Sequence, residues 1–481
     1  MERGLERDEQ TGEPSRSRIG RGQLMVGGVL LITLLAYIKC LSNQFTLDDH
    51  VFLENALIGQ WSFLWRSLTR DVHWFAYPEE GPLSPYYRPL LLIVFGLEHH
   101  LFGHNPAGYH AIQLMLHLIV VWLVYKVAMR LTGDGYAALL AALLFGLIPV
   151  HAEAVLSIAA TNYPLGAALQ LAAFYLVVRR PEPKRYAGPL ALALYAGALL
   201  CHESALMFPA LVAFYVLLLQ PASAACAGGS IFDRAVAQRQ SAILCAGPFL
   251  TAALVYVVFR TFVLHVPMIT PDIGAGHISN TVLLLTLPRV IVTYVALLAI
   301  PWMAGDSDRV LFVRSYISPG FYLPVIVLIA LAFCFYIALR KHPRRRLYLF
   351  CMLWTGIGIV PMMNLRGLWP EGEIANRYFY LLSVGWCIML ADWAVDLARS
   401  GARARRLVWV GAASTLVVCL TVLMNLENLW HDEVALIRGR LKRFPESAYC
   451  HKSLARALKN RGDVAGAERE LEAAAKLRAG S

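Results

Sequence analysis

Charged side chains are scarce in this sequence. Asp, Glu, Lys and Arg make up 16% of the 481 residues, while 58% of the residues are hydrophobic. A soluble domain is typically about half apolar and about a quarter charged. The scarcity of charge excludes an ordinary soluble enzyme and indicates a polytopic membrane protein.

Cysteine motifs and a gathered basic surface are also missing. The nine cysteines include no CxxC pair and no zinc-type spacing, and most lie inside apolar runs. We therefore expect small core residues and no disulfide framework. The net charge is +11, but the basic residues stand in short clusters between apolar runs. That pattern signals membrane topology and excludes nucleic-acid binding.

Apolar runs of about 20 residues predict the membrane spans. Eleven runs qualify: 22–41, 107–130, 136–150, 154–178, 186–201, 204–220, 242–264, 322–340, 347–365, 378–397 and 406–424. Two further runs, 88–103 and 281–303, are predicted to be interfacial or re-entrant. Only then do the six Lys/Arg clusters between helices fall on one side of the membrane.

This threading predicts about eleven crossings, with the N-terminus in the cytoplasm and the C-terminus outside. It divides the chain into a cytoplasmic tail (1–21), a transmembrane domain (22–424) and an extracytoplasmic tail (425–481). The run 22–41 is expected to be an uncleaved anchor, since no small-residue cleavage site follows it. The first extracytoplasmic loop is predicted at 42–106.

The unusual polar residues near membrane boundaries then gather on the extracytoplasmic face. They belong to these segments: the Asp48–Asp49 pair, "SPYYRPL" (84–90), "HAEAV" (151–155), "CHES" (201–204), "HISN" (277–280) and "NLRGLWPEGEIANRYFY" (364–380). Ionisable groups close to hydrocarbon are costly and usually functional. The pattern predicts a shared cavity on this face, although the acidic pair by itself also fits a helix end at the interface.

Five of these stretches occur in the order of a known family. The sequence resembles the transmembrane-and-TPR protein O-mannosyltransferases and their bacterial relatives in "YYRPL…GHNPAGYHAIQLMLH" (86–117), "LFGLIPVHAEAV" (144–155), "CHES", "ANRYFYLLSVG" (375–385) and the tail from Trp430. It departs from the family pattern at His202, at Asn376 and in "AATNYP" (159–164).

The resemblance implies an all-α fold of the GT-C glycosyltransferase superfamily. It also implies inverting transfer of a sugar, mannose by family expectation, from a polyprenyl-phosphate-linked donor on the extracytoplasmic side. The acceptor would be a hydroxyl, with Ser or Thr of an extracytoplasmic protein favoured over a lipid or glycan. A lipid-linked sugar transporter or flippase is the alternative class, but we find no inverted-repeat signal of the kind that transporters show.

Such a transfer needs one base for the hydroxyl proton, because the phosphate leaves without a proton. Asp49 and Asp48 are the candidate catalytic bases, with a preference for Asp49. A regular strand could not point both into one pocket. The residues proposed for the donor phosphate are Arg88, Arg377, Tyr87 and Tyr378, with Arg366 as a third arginine. Interfacial snorkelling is the alternative role for Arg88.

His151, Glu153, His202, Glu203 and Asn376 are predicted to contact the acceptor or to support the groups that do. No metal site is predicted among them, although a divalent ion held by oxygen and imidazole ligands stays open. Glu98, His99, His100 and His104 form a tempting metal cluster that a surface amphipathic helix explains more simply. No cofactor is certain.

The C-terminal tail predicts a helix over 431–443 and a TPR-like helical hairpin over 448–481. A single repeat cannot bury its own core, so the tail should dock on the membrane domain or on another chain. The composition favours the inner membrane of a bacterium with the site facing the periplasm. The same architecture in a eukaryote would face the lumen of the endoplasmic reticulum.

Overall fold

The computed structural model describes residues 16–76, 85–179, 188–220, 231–266, 279–305, 307–309, 311–363 and 373–479. Within these ranges the chain is almost entirely helical, as the sequence predicts. The helices of the first half are α1 (Arg16–Tyr37), α2 (Asp48–Leu53), α3 (Trp61–Ser67), α4 (Pro89–Phe102), α5 (Pro106–Thr132), α6 (Gly135–Leu147), α7 (Ala152–Leu156), α8 (Asn162–Val178), α9 (Pro189–Leu199) and α10 (Phe208–Leu219).

The second half continues the helical pattern and adds one short antiparallel ribbon. Its helices are α11 (Ile231–Val258), α12 (Asn280–Ala299), α13 (Pro319–Leu339), α14 (Arg345–Ile359), α15 (Phe379–Arg399), α16 (Ala402–Leu429), α17 (Glu433–Arg443), α18 (Ala448–Asn460) and α19 (Val464–Ala479). Strand β1 (Ser307–Arg309) pairs with β2 (Glu373–Ala375), with Asp308 opposite Ile374.

Seven described helices are long and apolar enough to cross a membrane, or eight if one bent pair is a single span. They are Gly22–Ser42, Pro106–Thr132, Val236–Val263, Asn280–Ala299, Pro319–Leu339, Asn376–Arg399 and Ala402–Leu429, with the pair Gly135–Leu147 and Pro149–Leu156 bent by 52°. Helices occur in all eleven predicted spans, but several are too short to count by length alone.

Two predicted segments differ from their expected form. The run 281–303 was expected to be interfacial, yet α12 is 20 residues long and meets the length and composition of a span. The predicted span 154–178 is broken, because α7 ends at Leu156 and α8 begins only at Asn162. The run 88–103 forms α4, whose 14 residues reach about 21 Å, less than a bilayer core of about 30 Å.

Local sequence signals explain the sharp turn between α5 and α6. Gly133 ends α5 in the left-handed conformation, with φ of 68°. The Asp134 side chain then accepts hydrogen bonds from the backbone N–H groups of Tyr136 (2.8 Å) and Ala137 (3.2 Å) at the start of α6. This turn aligns the two helices as antiparallel neighbours.

Buried polar contacts tie α5 and α6 to α15 in the core. The His117 ring contacts the Tyr380 hydroxyl at 2.7 Å and the Gly146 carbonyl at 3.2 Å. The His151 ring contacts the Phe145 carbonyl and the Ser383 hydroxyl, both at 2.8 Å. Because buried polar groups need such partners, these contacts fix the positions of the three helices relative to one another.

The predicted tail helices are present and pack against the first loop. The backbone N–H of Gln44 donates to the His431 carbonyl at 3.0 Å, and the His50 ring lies 3.7 Å from the Glu433 carboxylate. Leu47 packs on the apolar cluster formed by α17, α18 and α19. The expected docking on the membrane domain is therefore seen, while the assignment of the hairpin as a TPR unit stays a prediction.

The acidic pair lies in the first turn of α2 and not on a strand. Asp49 is completely buried, and its carboxylate accepts from the N–H groups of Thr46 (3.0 Å) and Ala159 (2.6 Å). The second of these bonds crosses to the turn that precedes α8. Asp49 thus anchors the first loop to the middle of the membrane domain, while Asp48 is exposed beside it.

The close approach of α14 and α15 depends on Gly385. A Cβ atom there would lie 2.5 Å from the Cys351 carbonyl oxygen and 3.0 Å from the Trp354 Cβ. We expect Gly385→Ala to destabilise the fold by about 1–3 kcal/mol, because the backbone of α14 would have to move. The measurement is the thermal unfolding midpoint in detergent. Gly411→Ala on α16, where a Cβ would contact nothing within 4 Å, is the matched control, and equal effects of the two changes would contradict the prediction.

The Asp49 anchor should make stability depend on pH. Burial raises the pKa of Asp49 to about 7, although the two amide donors oppose the shift, whereas an unfolded Asp titrates at about 3.9. Between these values the folded chain binds more protons than the unfolded chain, so the contribution of this group to stability falls as the pH rises. Since Asn does not titrate, the unfolding midpoint of the wild type minus that of Asp49→Asn should decrease from about pH 4.5 to about pH 8.

The same subtraction with Asp48→Asn, which changes the exposed neighbouring carboxylate, provides the control. A difference for Asp49→Asn that stays constant or increases with pH would show that the folded state does not favour the protonated carboxyl.

Candidate active site

A cavity opens between α8, α10, α14 and α15 and contains about 570 Å³ of empty space, including the part open to the outside. Its polar end is formed by Asn162, Tyr163, His202, Ser204 and Tyr378. The rest of the lining is apolar except for Gln170 and includes Ala167, Met207, Phe208, Leu211, Trp354, Ile357, Leu381 and Leu382. The lining of the cavity therefore combines polar and apolar side chains.

The first of two buried ion pairs beside this cavity joins Arg88 to Glu203. The Nε and Nη2 atoms of Arg88 both donate to one Glu203 oxygen, at 3.0 and 2.9 Å. The Arg88 guanidinium also lies over the Tyr86 ring, 4.5 Å from its centre. A third residue, Arg260, approaches the other Glu203 oxygen to 4.0 Å and donates to the Pro85 carbonyl. Glu203 raises the pKa of Arg88 despite burial of the guanidinium, so Arg88 stays charged.

The second ion pair joins Arg377 to Glu153 and connects α15 to α7. Glu153 is 3% exposed and accepts from the Arg377 Nη1 atom at 2.8 Å through one oxygen. Its other oxygen accepts from the Arg377 backbone N–H at 2.9 Å. The Arg377 side chain keeps 28% of its surface exposed. This guanidinium can therefore contact an anionic ligand while Glu153 holds it in place.

Tyr163 lies between the two ion pairs. It interacts electrostatically with both Arg377 and Arg88. Its ring lies 4.6 Å from the His202 ring and 6.2 Å from the Tyr378 ring. The polar end of the cavity is thus a group of aromatic rings between two arginines. The His202 Nδ1 atom accepts from the Ser204 N–H at 3.1 Å, which fixes the orientation of the imidazole.

Asp48 contributes an exposed carboxylate to this region. It interacts electrostatically with Arg377 and with His73, whose ring stacks on Phe52 at 5.6 Å. Burial lowers the pKa of His73, which favours the neutral ring. Asp48 is therefore available for chemistry, whereas both Asp49 oxygens are used by backbone amides.

Several of the predicted site residues have other partners. The Tyr87 hydroxyl donates to the Leu68 carbonyl at 2.6 Å and points away from the arginines. Both nitrogens of His151 are used in the core contacts with Phe145 and Ser383. The Asn376 amide donates to the Gly305 carbonyl at 2.7 Å, beside the ribbon. Arg366 lies outside the described residues.

Sequence reasoning missed four residues that the structure brings to the site. They are His73, Tyr86, Tyr163 and Arg260. Tyr163 had a signal, because it lies in the "AATNYP" stretch that departs from the family pattern. Tyr86 stands two residues before Arg88 in a quoted motif, but nothing in the sequence separates its role from that of Tyr87. His73 and Arg260 carry no local signal.

Among the described residues, no group of three or more His, Cys, Asp and Glu side chains comes together as a metal site. The alternative cluster at the end of α4 is dispersed: Glu98 is buried, and the His100 ring lies 4.0 Å from the Trp61 ring. His99 and His104 have their ring centres 5.2 Å apart.

Residues 85–228 match the model of the family described as dolichyl-phosphate-mannose-protein mannosyltransferase. This segment contains Arg88, Glu153, Tyr163 and Glu203. The chain is also similar to protein O-mannosyl-transferase TMTC3 of Mus musculus, with 24% identity over 90% of this chain and 49% of the relative. Protein O-mannosyl-transferase TMTC4 of Homo sapiens is 23% identical over 93% of this chain and 65% of the relative. Tmtc1 of Drosophila melanogaster is 31% identical over 38% of this chain and 21% of the relative.

The chain therefore spans less than two thirds of the length of each of these relatives. Among solved structures, the oligosaccharyltransferase of Archaeoglobus fulgidus tethered with an acceptor peptide matches 86% of this chain and 55% of its own, with 11% identity and a TM-score of 0.42. The chain is thus similar, over most of its length, to proteins named protein O-mannosyl-transferases.

Proposed function

We propose that this protein is an integral-membrane glycosyltransferase. It transfers a sugar, mannose by relationship, from a polyprenyl-phosphate donor to a hydroxyl of an extracytoplasmic protein. The observation that carries the proposal is that Arg88 and Arg377 both interact electrostatically with Tyr163, which lines the cavity, and that Asp48 interacts with Arg377. A base, two fixed cations and an apolar channel are the groups that such a reaction requires.

The two arginines would bind the donor phosphate. Arg377 is held by Glu153 through both its side chain and its backbone, so its orientation is set before a ligand arrives. Arg88 is held through its side chain alone, because its Nε and Nη2 atoms both donate to one Glu203 oxygen. Preorganised cations of this kind stabilise the negative charge that develops on the leaving phosphate, at little cost in reorganisation. Tyr378 lies beside Arg377 and can add a hydroxyl donor.

The apolar half of the cavity would take the first part of the polyprenyl chain. Its lining by Phe208, Leu211, Trp354 and Leu382 excludes water and matches a hydrocarbon. The phosphate would then lie at the polar end, near Tyr163 and the arginines. A donor oriented in this way presents its sugar to the extracytoplasmic side, where the first loop carries Asp48.

Asp48 is the base in this proposal, in place of the initially preferred Asp49. The acceptor hydroxyl oxygen attacks the anomeric carbon of the sugar, and its proton passes to the Asp48 carboxylate. The bond from the anomeric carbon to the phosphate oxygen breaks, and polyprenyl phosphate leaves with the bond electrons. A single displacement inverts the anomeric configuration. Asp49 holds the loop in place through the backbone amides of Thr46 and Ala159, and these bonds leave neither of its oxygens free to take the proton.

The C-terminal helices support a protein acceptor over a lipid or glycan acceptor. They pack on the loop that carries Asp48, through Gln44, Leu47 and His50. A polypeptide bound along these helices would reach the base without crossing the membrane. A site that faces the periplasm of a bacterium is part of this proposal.

Transfer from labelled polyprenyl-phosphate-mannose to a panel of extracytoplasmic proteins tests the base. We expect Asp48→Asn to lower kcat by about 10²-fold or more, because the proton then has no acceptor. Its unfolding midpoint should stay close to that of the wild type, since Asp48 is exposed. Glu54→Gln changes another exposed acid at the end of the same helix and is the matched control, with activity near that of the wild type.

Asp49→Asn should lower activity and thermal stability together, which separates an anchoring residue from a base. Full activity of Asp48→Asn would move the base to Glu203, since both oxygens of Glu153 accept hydrogen bonds from Arg377. If the wild type transfers the sugar to no protein, lipid or glycan acceptor, the assignment as a glycosyltransferase is contradicted and a transporter is favoured. Flipping of the same lipid in vesicles would test the transporter.

A further inference from the structure

The side-chain amide of Asn162 is buried at the polar end of the cavity without a hydrogen-bond partner. Asn162 is the first residue of α8, is 1% exposed and lines the cavity. In the described part of the chain neither its Oδ1 nor its Nδ2 atom has a partner. Its backbone carbonyl accepts from the Cys201 thiol at 3.4 Å. A buried amide of this kind carries a free-energy cost that a bound ligand can remove.

The chemistry of the amide limits which part of a ligand can satisfy it. An Asn side chain offers an acceptor oxygen and a donor NH₂ group. A phosphate oxygen only accepts, so it would leave the Oδ1 atom unsatisfied, and a polyprenyl chain satisfies neither atom. A hydroxyl group both donates and accepts, and two neighbouring hydroxyls satisfy both amide atoms at once. Exchanging the amide oxygen and nitrogen does not change this conclusion, since both atoms are without partners.

The surroundings of Asn162 suit a sugar ring. The next residue, Tyr163, forms with His202 and Tyr378 an aromatic surface that can cover the apolar face of a sugar. The cations that would hold the phosphate, Arg88 and Arg377, both interact electrostatically with Tyr163. Groups for a phosphate and a separate group for hydroxyls are therefore close to the polar end of the cavity.

We infer that Asn162 binds hydroxyl groups of the donor sugar and thereby selects the sugar-bearing lipid over the bare lipid phosphate. The inference rests on the proposed function, because it takes the ligand of the cavity to be a lipid-linked sugar. It assigns sugar recognition to a residue next to the arginines, and it makes Asn162 a specificity-determining residue that takes no part in proton transfer.

Binding of two lipids to the purified full chain tests this assignment without an activity measurement. The probes are polyprenyl-phosphate-mannose and polyprenyl phosphate, titrated separately while the thermal unfolding midpoint is followed. The wild type should bind the sugar-bearing lipid more tightly. Asn162→Leu keeps the approximate shape but removes both hydrogen-bonding atoms, so this preference should fall by about tenfold. The affinity for polyprenyl phosphate should not change.

Gln170→Leu is the matched control, because Gln170 is another buried amide of α8 that lines the same cavity, two turns further along the helix. It should keep the preference of the wild type. In the absence of lipid, Asn162→Leu should be at least as stable as the wild type, since it removes a buried polar group that has no partner. Asn162→Ala is a second variant with the same expected loss of preference.

Each of the other outcomes contradicts a specific part of the inference or of the proposed function. If Asn162→Leu and Asn162→Ala keep the full preference, Asn162 does not contact the sugar. If both variants lose stability and bind neither lipid, the amide has a structural role. If the wild type binds both lipids equally, sugar recognition in this cavity is wrong while the lipid phosphate site stands. If the wild type binds neither lipid, the proposed function fails together with this inference.

Discussion

The ion pair between Glu153 and Arg377 is the interaction on which the site depends. A charge buried at the end of a membrane helix is tolerated only when a partner neutralises it and hydrogen bonds satisfy it. Glu153 meets both needs with a single residue, since it accepts from the guanidinium and from the backbone N–H of Arg377. It thereby joins the break after α6 to the start of α15, where the walls of the cavity meet.

Asp48 and Asp49 carry the same chemical group but differ in their surroundings. Asp49 gives both oxygens to backbone amides and connects the first loop to the turn before α8. Asp48, one residue earlier on the same short helix, keeps an exposed carboxylate near Arg377. The buried Asp49 therefore holds the short helix in place, so that the exposed Asp48 carboxylate occupies a defined position.

The buried amide of Asn162 lowers the stability of the free protein, because among the described residues neither of its polar atoms has a hydrogen-bond partner. A buried amide without partners opposes stability, and an apolar residue of the same size would fit better. Cavities that bind polar ligands commonly contain such groups, because a ligand that replaces the lost hydrogen bonds is then distinguished from one that does not. The aromatic rings around Asn162 and the apolar half of the cavity remove water and strengthen this effect.

The sequence by itself determined the helical membrane class and the helices of the tail, because composition and apolar run length follow directly from the bilayer. Of the polar segments that it singled out, 201–204 and 364–380 contribute residues to the lining of the cavity. It did not determine the break at 157–161, the length of α12, or the difference between Asp48 and Asp49. Those depend on which backbone amides and carbonyls come within reach after the helices pack. Only the tertiary structure brought Tyr163 close to both Arg88 and Arg377, since residues so distant in the chain meet only through packing. It also gave Tyr87 and His151 hydrogen-bond partners elsewhere and left the Asn162 amide without one in the described part of the chain.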